Sequence, residues 1–587
     1  MSKILSGDHG GYTLQGEANR IFHLILNDPR LQTPDEVKSF ASQVKFVGDE
    51  TQPFYHSPWK CAEAQAGLLG YVGIFALAIA KERYGVEETV EVDVQHALLN
   101  GLAAVFSRCE DDWLPKTKKM YAAVQRWDHG LPNADQKEMA GGVDCVSQGK
   151  PVATNVYKTG DGKWYYLHGS MNPTPLLSML DMPQHNEDNL SHAEIVQKYA
   201  DVVSKLDSET VDNWSNNVYR VPGTICYTKE EFEATAHGKA IKGEPYYNLI
   251  REPHYEQPPV SWSQPADPSD RRPLSGVKVL ELARAIAAPT VGRVCAALGA
   301  TVIRVSCATN TELPITLLDG CIGKISVDIN LKTFEGRKKL LELIQDADVF
   351  IDGYRPSVLE HLGFGRDAVL GLVAKREKGI VYCQENCYGW KGPWQVRPGW
   401  AQIADGVSGV GYGCGRFHGY DEAHMFPGPN ADYLTGHAGA AGVLHALYLR
   451  HRQGGSYVTQ CSLLVSDLQM ISYGEYSEEQ KQAIKRRNPV VGQMRHYDEI
   501  VAMGIKKFTS RGFVADRPFE KAIKKEYYQT IDGSPWGYNP VDVVNFALQM
   551  GSMRTDFPIG AAPPGYHLPQ WTVQKNPSFE PIQPTSN

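Results

Sequence analysis

The fold is decided by VKVLELARAIAAPTVGRVCAALGATVIRV, residues 277–305. Residues 277–282 and 300–305 are short runs rich in apolar residues, as buried strands are, and the stretch around 291–298 has a helical pattern. A strand, a helix and a second strand in this order form a βαβ unit, which opens a parallel sheet.

The same alternation continues along the chain. Strands are predicted over 324–329, 348–352 and 379–384, with a helix over 333–344 between the first two. We therefore expect an α/β fold: a doubly wound, Rossmann-like domain over residues 274–475 whose ligand lies at the carboxyl ends of the strands.

Changes in composition divide the rest of the chain. Residues 252–273 hold six prolines and are predicted to form an extended linker. Residues 150–251 are predicted to form a small α+β domain, because aromatic-rich segments flank the turn at 159–162 as in a hairpin. Residues 476–587 are expected to be a C-terminal extension that packs back on the large domain.

Composition and charge narrow the class of protein. Of the 587 residues, 42% are hydrophobic and 21% charged, which is typical of a globular protein with room for several cores. The net charge of −8 argues against a nucleic-acid partner. The eleven cysteines are scattered, and Cys383 and Cys387 lack the spacing of a zinc site, so we expect no metal.

No targeting signal is evident in the sequence. The N-terminus lacks the apolar core of a secretory signal, no stretch approaches about 18 uninterrupted apolar residues, and the C-terminal PTSN is not a peroxisomal address. We therefore expect a cytoplasmic protein without a membrane partner, with a mitochondrial or peroxisomal location left open.

The βαβ unit lacks the signature of a dinucleotide site. The first strand is followed by ARAIAAPTVG without a GxGxxG motif, and the second ends with Arg304 and Ser306, where an acidic residue would bind a ribose. We therefore expect no nicotinamide or flavin.

Basic residues near strand ends favour a phosphate-rich ligand instead. Arg304, Lys332 and Arg355 are each close to the end of a predicted strand, and Tyr354 could flank an adenine ring. Coenzyme A carries a pyrophosphate and a 3′-phosphate, which such side chains bind well. Taken singly, each of these cations is more often a solvated surface residue.

Asp432 has two interpretations. It lies in GPNADYLTGHAGAAG at the start of a predicted helix, where a carboxylate commonly caps the helix. The small residues that follow, between 436 and 442, would let a ligand or another backbone approach closely, which favours a functional site.

The chain also repeats itself. LLGYVGIFALAIAKERYG (68–85) resembles TGHAGAAGVLHALYLRHRQG (435–454), and each is followed by a predicted strand, at 90–99 and 457–465. The alignment places Glu63 at the position of Asp432. Residues 1–140 are therefore interpreted as a truncated, degenerate copy of the helical segment of the large domain.

Residues 274–466 resemble the class III CoA-transferases, the group of formyl-CoA transferase and carnitine CoA-transferase. The matching motifs follow in the family's order: LSGVKVLELARAIAAPTVGRVCAALGATVIRV, SVDINLKTFEGRKKL, DVFIDGYRPSVLEHLGFG, GIVYCQENCYGWKGPWQVRPGW and ADYLTGHAGAAGVLHALYLRHRQGG. Residues 152–250 also resemble the family's small domain.

The resemblance implies roles for individual residues. Asp432 falls on the family's nucleophilic aspartate, and Trp400 falls where transferases place an aromatic residue. The remaining positions implied for coenzyme A are Ile286 and Ala287 at the thiol end, and Ile329, Lys332, Gly353, Tyr354 and Arg355 along the cofactor. The sequence departs from the family at Ile286, usually polar, at Gly353, usually asparagine, and in lacking a glycine-rich loop that shields the aspartate.

The implied reaction is transfer of coenzyme A from an acyl-CoA to a small carboxylic acid through an aspartyl-CoA thioester on Asp432. Backbone N–H groups at the start of the helix would stabilise the oxyanions. The N-terminal copy suggests either a homodimer or a monomer that mimics the family dimer, with a degenerate copy favoured over a second active site at Glu63.

Three alternatives remain open. An α-methylacyl-CoA racemase has a histidine near the position of Trp400, and His418, His424 or His437 would have to replace it. A CoA-dependent lyase is a further possibility, because an acyl thioester activates its α-protons. A non-catalytic CoA-binding protein is the third.

Overall fold

The computed structural model describes residues 11–109, 152–184, 188, 190–265, 267–310, 312–487, 493–498, 524–537 and 540–579. We number the strands in chain order: β1 Val44–Val47, β2 Val90–Asp93, β3 Arg108–Cys109, β4 Asn155–Lys158, β5 Trp164–Leu167, β6 Gly223–Ile225, β7 Tyr247–Arg251, β8 Lys278–Ala283, β9 Thr301–Ser306, β10 Lys324–Asp328, β11 Val349–Gly353, β12 Val381–Asn386, β13 Tyr457–Ser462, β14 Tyr528–Ile531, β15 Val541–Val544 and β16 Leu548–Met550.

A seven-stranded sheet forms the centre of the molecule, in the order β10-β9-β8-β11-β12-β13-β7. The first six strands are parallel, and β7 joins β13 in the antiparallel direction. These strands are apolar and mostly buried on both faces, as parallel sheets covered by helices require. The predicted α/β class is confirmed.

Helices cover both faces of this sheet. On one face lie Ala287–Ala297 and Asn430–Gln453, and their apolar residues share a core with Val279, Val349 and Val381. On the other face lie Phe334–Asp346 and Arg366–Val373, which pack on a separate core that includes Leu280, Phe350 and Tyr382. Successive side chains of a strand point to opposite faces, which is why neighbouring residues belong to different cores. The other helices of the large domain are Pro314–Cys321, Val358–Leu362, Ala401–Ser408, Val410–His418 and Leu463–Ser472, and Glu478–Arg487 follows in the C-terminal segment.

A smaller unit precedes the large sheet. Strands β4, β5 and β6 form an antiparallel sheet, and the turn at 159–162 joins the first two as the sequence predicts. Its helices are Thr174–Met179, His192–Val203, Ser208–Asn213, Lys229–Ala234 and Ala236–Ile241. The small sheet ends before β7, because residues 247–251 pair with β13 and belong to the large sheet although the sequence boundary was set at 251.

The N-terminal segment repeats the arrangement around Asp432. Its helices are Leu14–Leu26, Asp35–Lys38, Cys61–Tyr84, Val94–Asn100 and Ala103–Phe106. Cys61–Tyr84 and Asn430–Gln453 are both 24 residues long and pack against each other. In the sheet β1-β2-β16, β2 pairs with β1 in parallel and with β16 in the antiparallel direction. Strand β13 of the large sheet likewise pairs with β12 in parallel and with β7 in the antiparallel direction.

The C-terminal segment contacts both halves of the molecule. Strand β16 pairs with β2 and β15 pairs with β3, so residues 541–550 extend the N-terminal sheets. Further on, the backbone N–H of His567 donates to the carbonyl of Ser326 at 2.9 Å, beside β10 of the large sheet.

One described helix, Cys61–Tyr84, is long and apolar enough to cross a membrane, and the apolar window that qualifies it is entirely buried inside the protein. Its burial explains its composition: it is a central helix of the N-terminal core.

Candidate active site

A cavity of about 730 Å³ opens at the carboxyl ends of the parallel strands. Its wall includes residues that directly follow β8, β9, β10, β11, β12 and β13: Arg284, Cys307, Ile329, Tyr354, Cys387 and Leu463. The carboxyl ends of parallel strands meet at one edge of a sheet, so segments far apart in sequence converge there.

The cavity collects nine of the ten residues predicted for the site. They are Ile286, Ala287, Ile329, Lys332, Gly353, Tyr354, Arg355, Trp400 and Asp432. They come from the ends of three strands (β8, β10 and β11), from the loop before Ala401–Ser408 and from the start of Asn430–Gln453. Their convergence is a property of the fold that no local pattern contains.

The structure contradicts the prediction for Arg304. Its side chain lies within β9, is almost fully buried, and donates to both carboxylate oxygens of Glu312 at 2.9 Å. Glu281, opposite Arg304 in the register of β8 and β9, is 4.0 Å away and also binds Lys324 at 2.8 Å. Burial alone would lower the pKa of Arg304, but these carboxylates hold it above its usual range. Arg304 therefore belongs to a structural ion-pair network beneath the cavity.

Asp432 does not cap its helix. The cap position of Asn430–Gln453 is Pro429, and Asp432 is the third helical residue, with its carboxyl on the cavity wall. It is 8% exposed, and burial raises its pKa to about 7. The result is a largely buried carboxyl group on a residue that lines the cavity.

The glycines after Asp432 allow another helix to approach closely. A Cβ atom on Gly436 would lie 2.3 Å from the Cβ of Thr290 and 2.6 Å from the carbonyl oxygen of Ala287. Gly436 therefore lets the helix Ala287–Ala297 touch the helix that carries Asp432. The small residues after Asp432 were expected to let either a ligand or another backbone approach. At Gly436 the structure shows the close approach of another backbone.

Positive charge lines the other part of the cavity. Lys332, Arg355 and Arg284 lie on its wall, and the guanidinium of Arg284 is 5.6 Å from the ring centre of Tyr354. Partial burial and the charges of Arg284 and Arg220 lower the pKa of Arg355. Arginines that crowd one another in this way favour a bound anion. Sequence reasoning missed Arg284, which follows β8 by one residue.

The small unit closes one side of the cavity. Its Met171 lines the wall, and the sulfur lies 3.6 Å from Nη1 of Arg284. The ring of His168 stacks on Trp400 with ring centres 5.1 Å apart. Burial lowers the pKa of His168 to about 3, so this histidine is neutral.

The three histidines considered for a racemase do not line the cavity. His418 and His424 contact each other through their Nδ1 atoms at 2.9 Å, and His437 pairs with Gln65 at 2.8 Å. Among the described residues of the wall, His361 is the one histidine, and its Nδ1 contacts the carbonyl of Ser357.

Glu385 is a second carboxyl group of the cavity that sequence reasoning missed. It is the penultimate residue of β12 and lines the wall together with Asp432. Burial, and then the charge of Asp432, raise its pKa to about 8. A carboxylate inside the largely buried strand segment VYCQEN was the available signal.

Glu63 occupies the position equivalent to Asp432 in the N-terminal copy. Each is the third residue of a 24-residue helix. The Glu63 side chain is fully buried and accepts hydrogen bonds from the hydroxyl groups of Tyr12 and Tyr476. Burial raises its pKa to about 7 although these bonds lower it. Glu63 is thus held by protein groups and lies outside the cavity wall.

Comparison with known proteins identifies the family. The sequence model of CoA-transferase family III matches residues 274–504, and a relative that is 34% identical aligns with 85% of the chain. The chain belongs to CoA-transferase family III and is an enzyme of that class.

That relative is the acetyl-coenzyme A transferase nodX of Hypoxylon pulicicidum, aligned over 84% of its own length. An acyl-CoA transferase of Gibberella moniliformis is 32% identical over 77% of each chain. Among solved structures, the hypothetical protein Rv3272 of Mycobacterium tuberculosis is 28% identical, with 37% of this chain and 61% of that chain covered and a TM-score of 0.31.

Proposed function

We propose that the protein transfers coenzyme A from an acyl-CoA to a carboxylic acid through a covalent aspartyl-CoA thioester on Asp432. The observation that carries this proposal is that the buried Asp432 lines the same cavity as a cluster of cations. Family III CoA-transferases act on acyl-CoA and carboxylate substrates, in agreement with a cavity of this kind.

The steps balance without any co-reactant. The Asp432 carboxylate attacks the thioester carbonyl, and the C–S bond breaks to leave a mixed anhydride and the CoA thiolate. The thiolate attacks the aspartyl carbonyl, which releases the donor acid and leaves the aspartyl-CoA thioester. The acceptor carboxylate then repeats the sequence in reverse. Free backbone N–H groups at the start of Asn430–Gln453 are suited to stabilise the negative charge of the tetrahedral intermediates.

Lys332, Arg355 and Arg284 are assigned to the phosphates of coenzyme A, and Tyr354 to its adenine ring. Trp400, fixed by its stack on His168, is assigned to the wall of the acyl pocket.

Mass spectrometry tests the covalent step. Incubation with acetyl-, propionyl- or succinyl-CoA, each with its own ¹³C-labelled acid, should give isotope exchange and a CoA-sized adduct on the peptide that contains Asp432. Asp432→Asn should lose both, while Asp421→Asn, a nearby exposed aspartate, should keep both. Exchange in Asp432→Asn at the wild-type rate would refute the proposal.

Racemisation is the second candidate, because Glu385 supplies the second titratable group that proton exchange at an α-carbon requires. The same incubation in deuterated water with a 2-methylacyl-CoA distinguishes the two. Rapid α-deuterium incorporation without a free acid would favour the racemase, and we expect exchange of the acid instead.

A further inference from the structure

The position of Glu385 follows from the geometry of its strand. Along β12, Val381, Cys383 and Glu385 point to one face, and Val381 and Cys383 belong to the core shared with the helix Asn430–Gln453. In the register with β13, Glu385 is opposite Cys461, whose sulfur lies 3.0 Å from the place of a Cβ on Gly439 of that helix. Glu385 is therefore on the same face of the sheet as Asp432.

The surroundings of Glu385 are acidic. The groups whose charges act on it are Asp432 on the neighbouring helix, Asp352 on β11 and the thiol of Cys383 on its own strand. Cys387, in the loop after β12, and Cys461, on β13, interact with it as well. The described groups whose charges raise the pKa of Glu385 are thus acids and a thiol. Ionising both carboxyl groups in one such site is unfavourable, because the two negative charges repel each other.

One of the two carboxyl groups therefore retains a proton near neutral pH. Burial raises the pKa of Asp432 to about 7, and burial together with Asp432 raises that of Glu385 to about 8. Asp432 lies in the first turn of Asn430–Gln453, where the helix dipole favours the ionised form, so Asp432 is assigned as the nucleophile and Glu385 as the neutral acid. Environments that separate two carboxyl groups in this way commonly give them different roles.

We propose that Glu385 is a second catalytic residue, which in its acid form donates a hydrogen bond to the carboxylate of the substrate acid as that acid enters and leaves Asp432. This role rests on the proposed function. The acceptor arrives as an anion in a buried site, where Asp432 is held as the uncharged CoA thioester, so a neutral donor at Glu385 stabilises the acceptor, whereas an ionised Glu385 would repel it. The proton stays on Glu385 throughout: the acceptor oxygen forms the bond to the aspartyl carbonyl, the C–S bond breaks, and the thiolate later takes the acyl group.

The test is the pH dependence of isotope exchange between an acyl-CoA and its own ¹³C-labelled acid, with the acetyl, propionyl and succinyl pairs as probes. In the wild type, kcat/KM for the acyl-CoA should rise through about pH 7 as Asp432 ionises, and kcat/KM for the acid should fall through about pH 8 as Glu385 loses its proton. Glu385→Gln keeps a donor that cannot ionise, so it should remain active at pH 7.5 and lose the alkaline decline. Glu385→Ala should reduce kcat/KM for the acid about 10- to 100-fold, the loss of one hydrogen bond to a charged group.

Two outcomes overturn the role of Glu385: an alkaline decline that persists in Glu385→Gln, or an Ala variant as active as the wild type. The affinity for free CoA, measured calorimetrically, should be unchanged in both variants, and a changed affinity in the near-isosteric Gln variant would indicate a structural role. Failure of the proposed function has a different signature, because the wild type itself would then form no adduct on Asp432.

Discussion

Lys332 and Arg355 carry positive charge that the described protein does not neutralise. Neither forms an ion pair with a described acid, and Arg355 donates one hydrogen bond, to the carbonyl of Arg220 at 3.1 Å. Lys339, a few residues beyond Lys332, differs: its ammonium binds Glu342 at 2.6 Å and lies outside the cavity wall. An anionic ligand would give the first two cations the partners that the protein does not supply.

We therefore expect Arg355→Ala and Lys332→Ala each to weaken CoA binding about tenfold or more, since a hydrogen bond to a charged group contributes ~1.5–3 kcal/mol. Lys339→Ala is the matched control and should leave the dissociation constant unchanged. Isothermal titration with CoA measures all three. Equal affinity of Arg355→Ala and the wild type would show that the phosphates bind elsewhere.

The residues that sequence reasoning misplaced share one physical cause. Arg304 was taken for a strand-end cation, but it lies two residues before the end of β9, where its side chain faces Glu281 across the strand register. Glu385 was overlooked because the sequence gives no contact between β12 and the distant Asp432. The local sequence pattern predicts roughly where a strand ends. It does not predict which charged side chains face each other across paired strands and form ion pairs there.

At the scale of elements, three glycines determine how the helix of Asp432 packs. Gly436 and Gly439 face Thr290 and Val291 more closely than an added Cβ would allow, and a Cβ on Gly442 would lie 3.0 Å from the ring of Tyr247. The helix can therefore lie against Ala287–Ala297 and the sheet with its backbone in near contact. This packing joins Asp432 to Ala287, which lines the same cavity.

Gly436→Ala should destabilise the protein by ~1–3 kcal/mol, because the added methyl group overlaps Thr290 and the backbone of Ala287. The exchange rate should also fall, since the two helices that line the cavity must separate. Gly371→Ala, in the helix Arg366–Val373 with nothing within 4 Å of the new Cβ, is the control and should gain up to ~1 kcal/mol. The urea midpoints of unfolding of the two variants measure these differences in stability. A Gly436→Ala protein as stable as the control would mean that the contact between the two helices is looser than described.

The strands and helices of the large domain were predictable because their apolar periodicity is strong. The strand at one edge of the large sheet, β7, was not predictable from the sequence. Strand β7 precedes the proline-rich residues 252–273 in sequence, yet it pairs with β13, about 200 residues later. An antiparallel partner so distant leaves no local signal, so the sequence boundary of the small domain fell after β7 instead of before it.

For the whole molecule, the glycines show that the N-terminal segment repeats the one that carries Asp432. Gly67, Gly70 and Gly73 hold the same positions in Cys61–Tyr84 that Gly436, Gly439 and Gly442 hold in Asn430–Gln453. Gly67 meets Ile21 of the helix Leu14–Leu26, as Gly436 meets Thr290 of Ala287–Ala297. The repeat therefore extends from the sequence to the three-dimensional contacts. The helices Cys61–Tyr84 and Asn430–Gln453 are linked by Gln65, whose side chain forms hydrogen bonds with both Asn430 and His437.

The repeated segment retains the core of the site and lacks its chemistry. In the described residues, the N-terminal sheet β1-β2-β16 has no counterpart of β8 to β11, the strands whose ends bring Arg284, Ile329, Lys332 and Tyr354 to the cavity. The hydroxyl groups of Tyr12 and Tyr476 donate hydrogen bonds to the carboxyl of Glu63. Because the side chain is also fully buried, a thioester cannot reach it.

We therefore expect one CoA adduct per chain. Intact-mass spectra after incubation with the acyl-CoA panel should show a single CoA addition on the wild type, none on Asp432→Asn, and a single addition on Glu63→Gln. The Gln variant is near-isosteric and can still bond the two tyrosines, so its loss of adduct would mean that Glu63 takes part in catalysis. Two additions on the wild type, or a residual adduct mapped to Glu63 in Asp432→Asn, would mean that the N-terminal copy is a second active site. A single addition that survives in Glu63→Gln is the outcome that the buried, hydrogen-bonded carboxyl requires, because a nucleophile must reach the thioester carbonyl before it can form a bond.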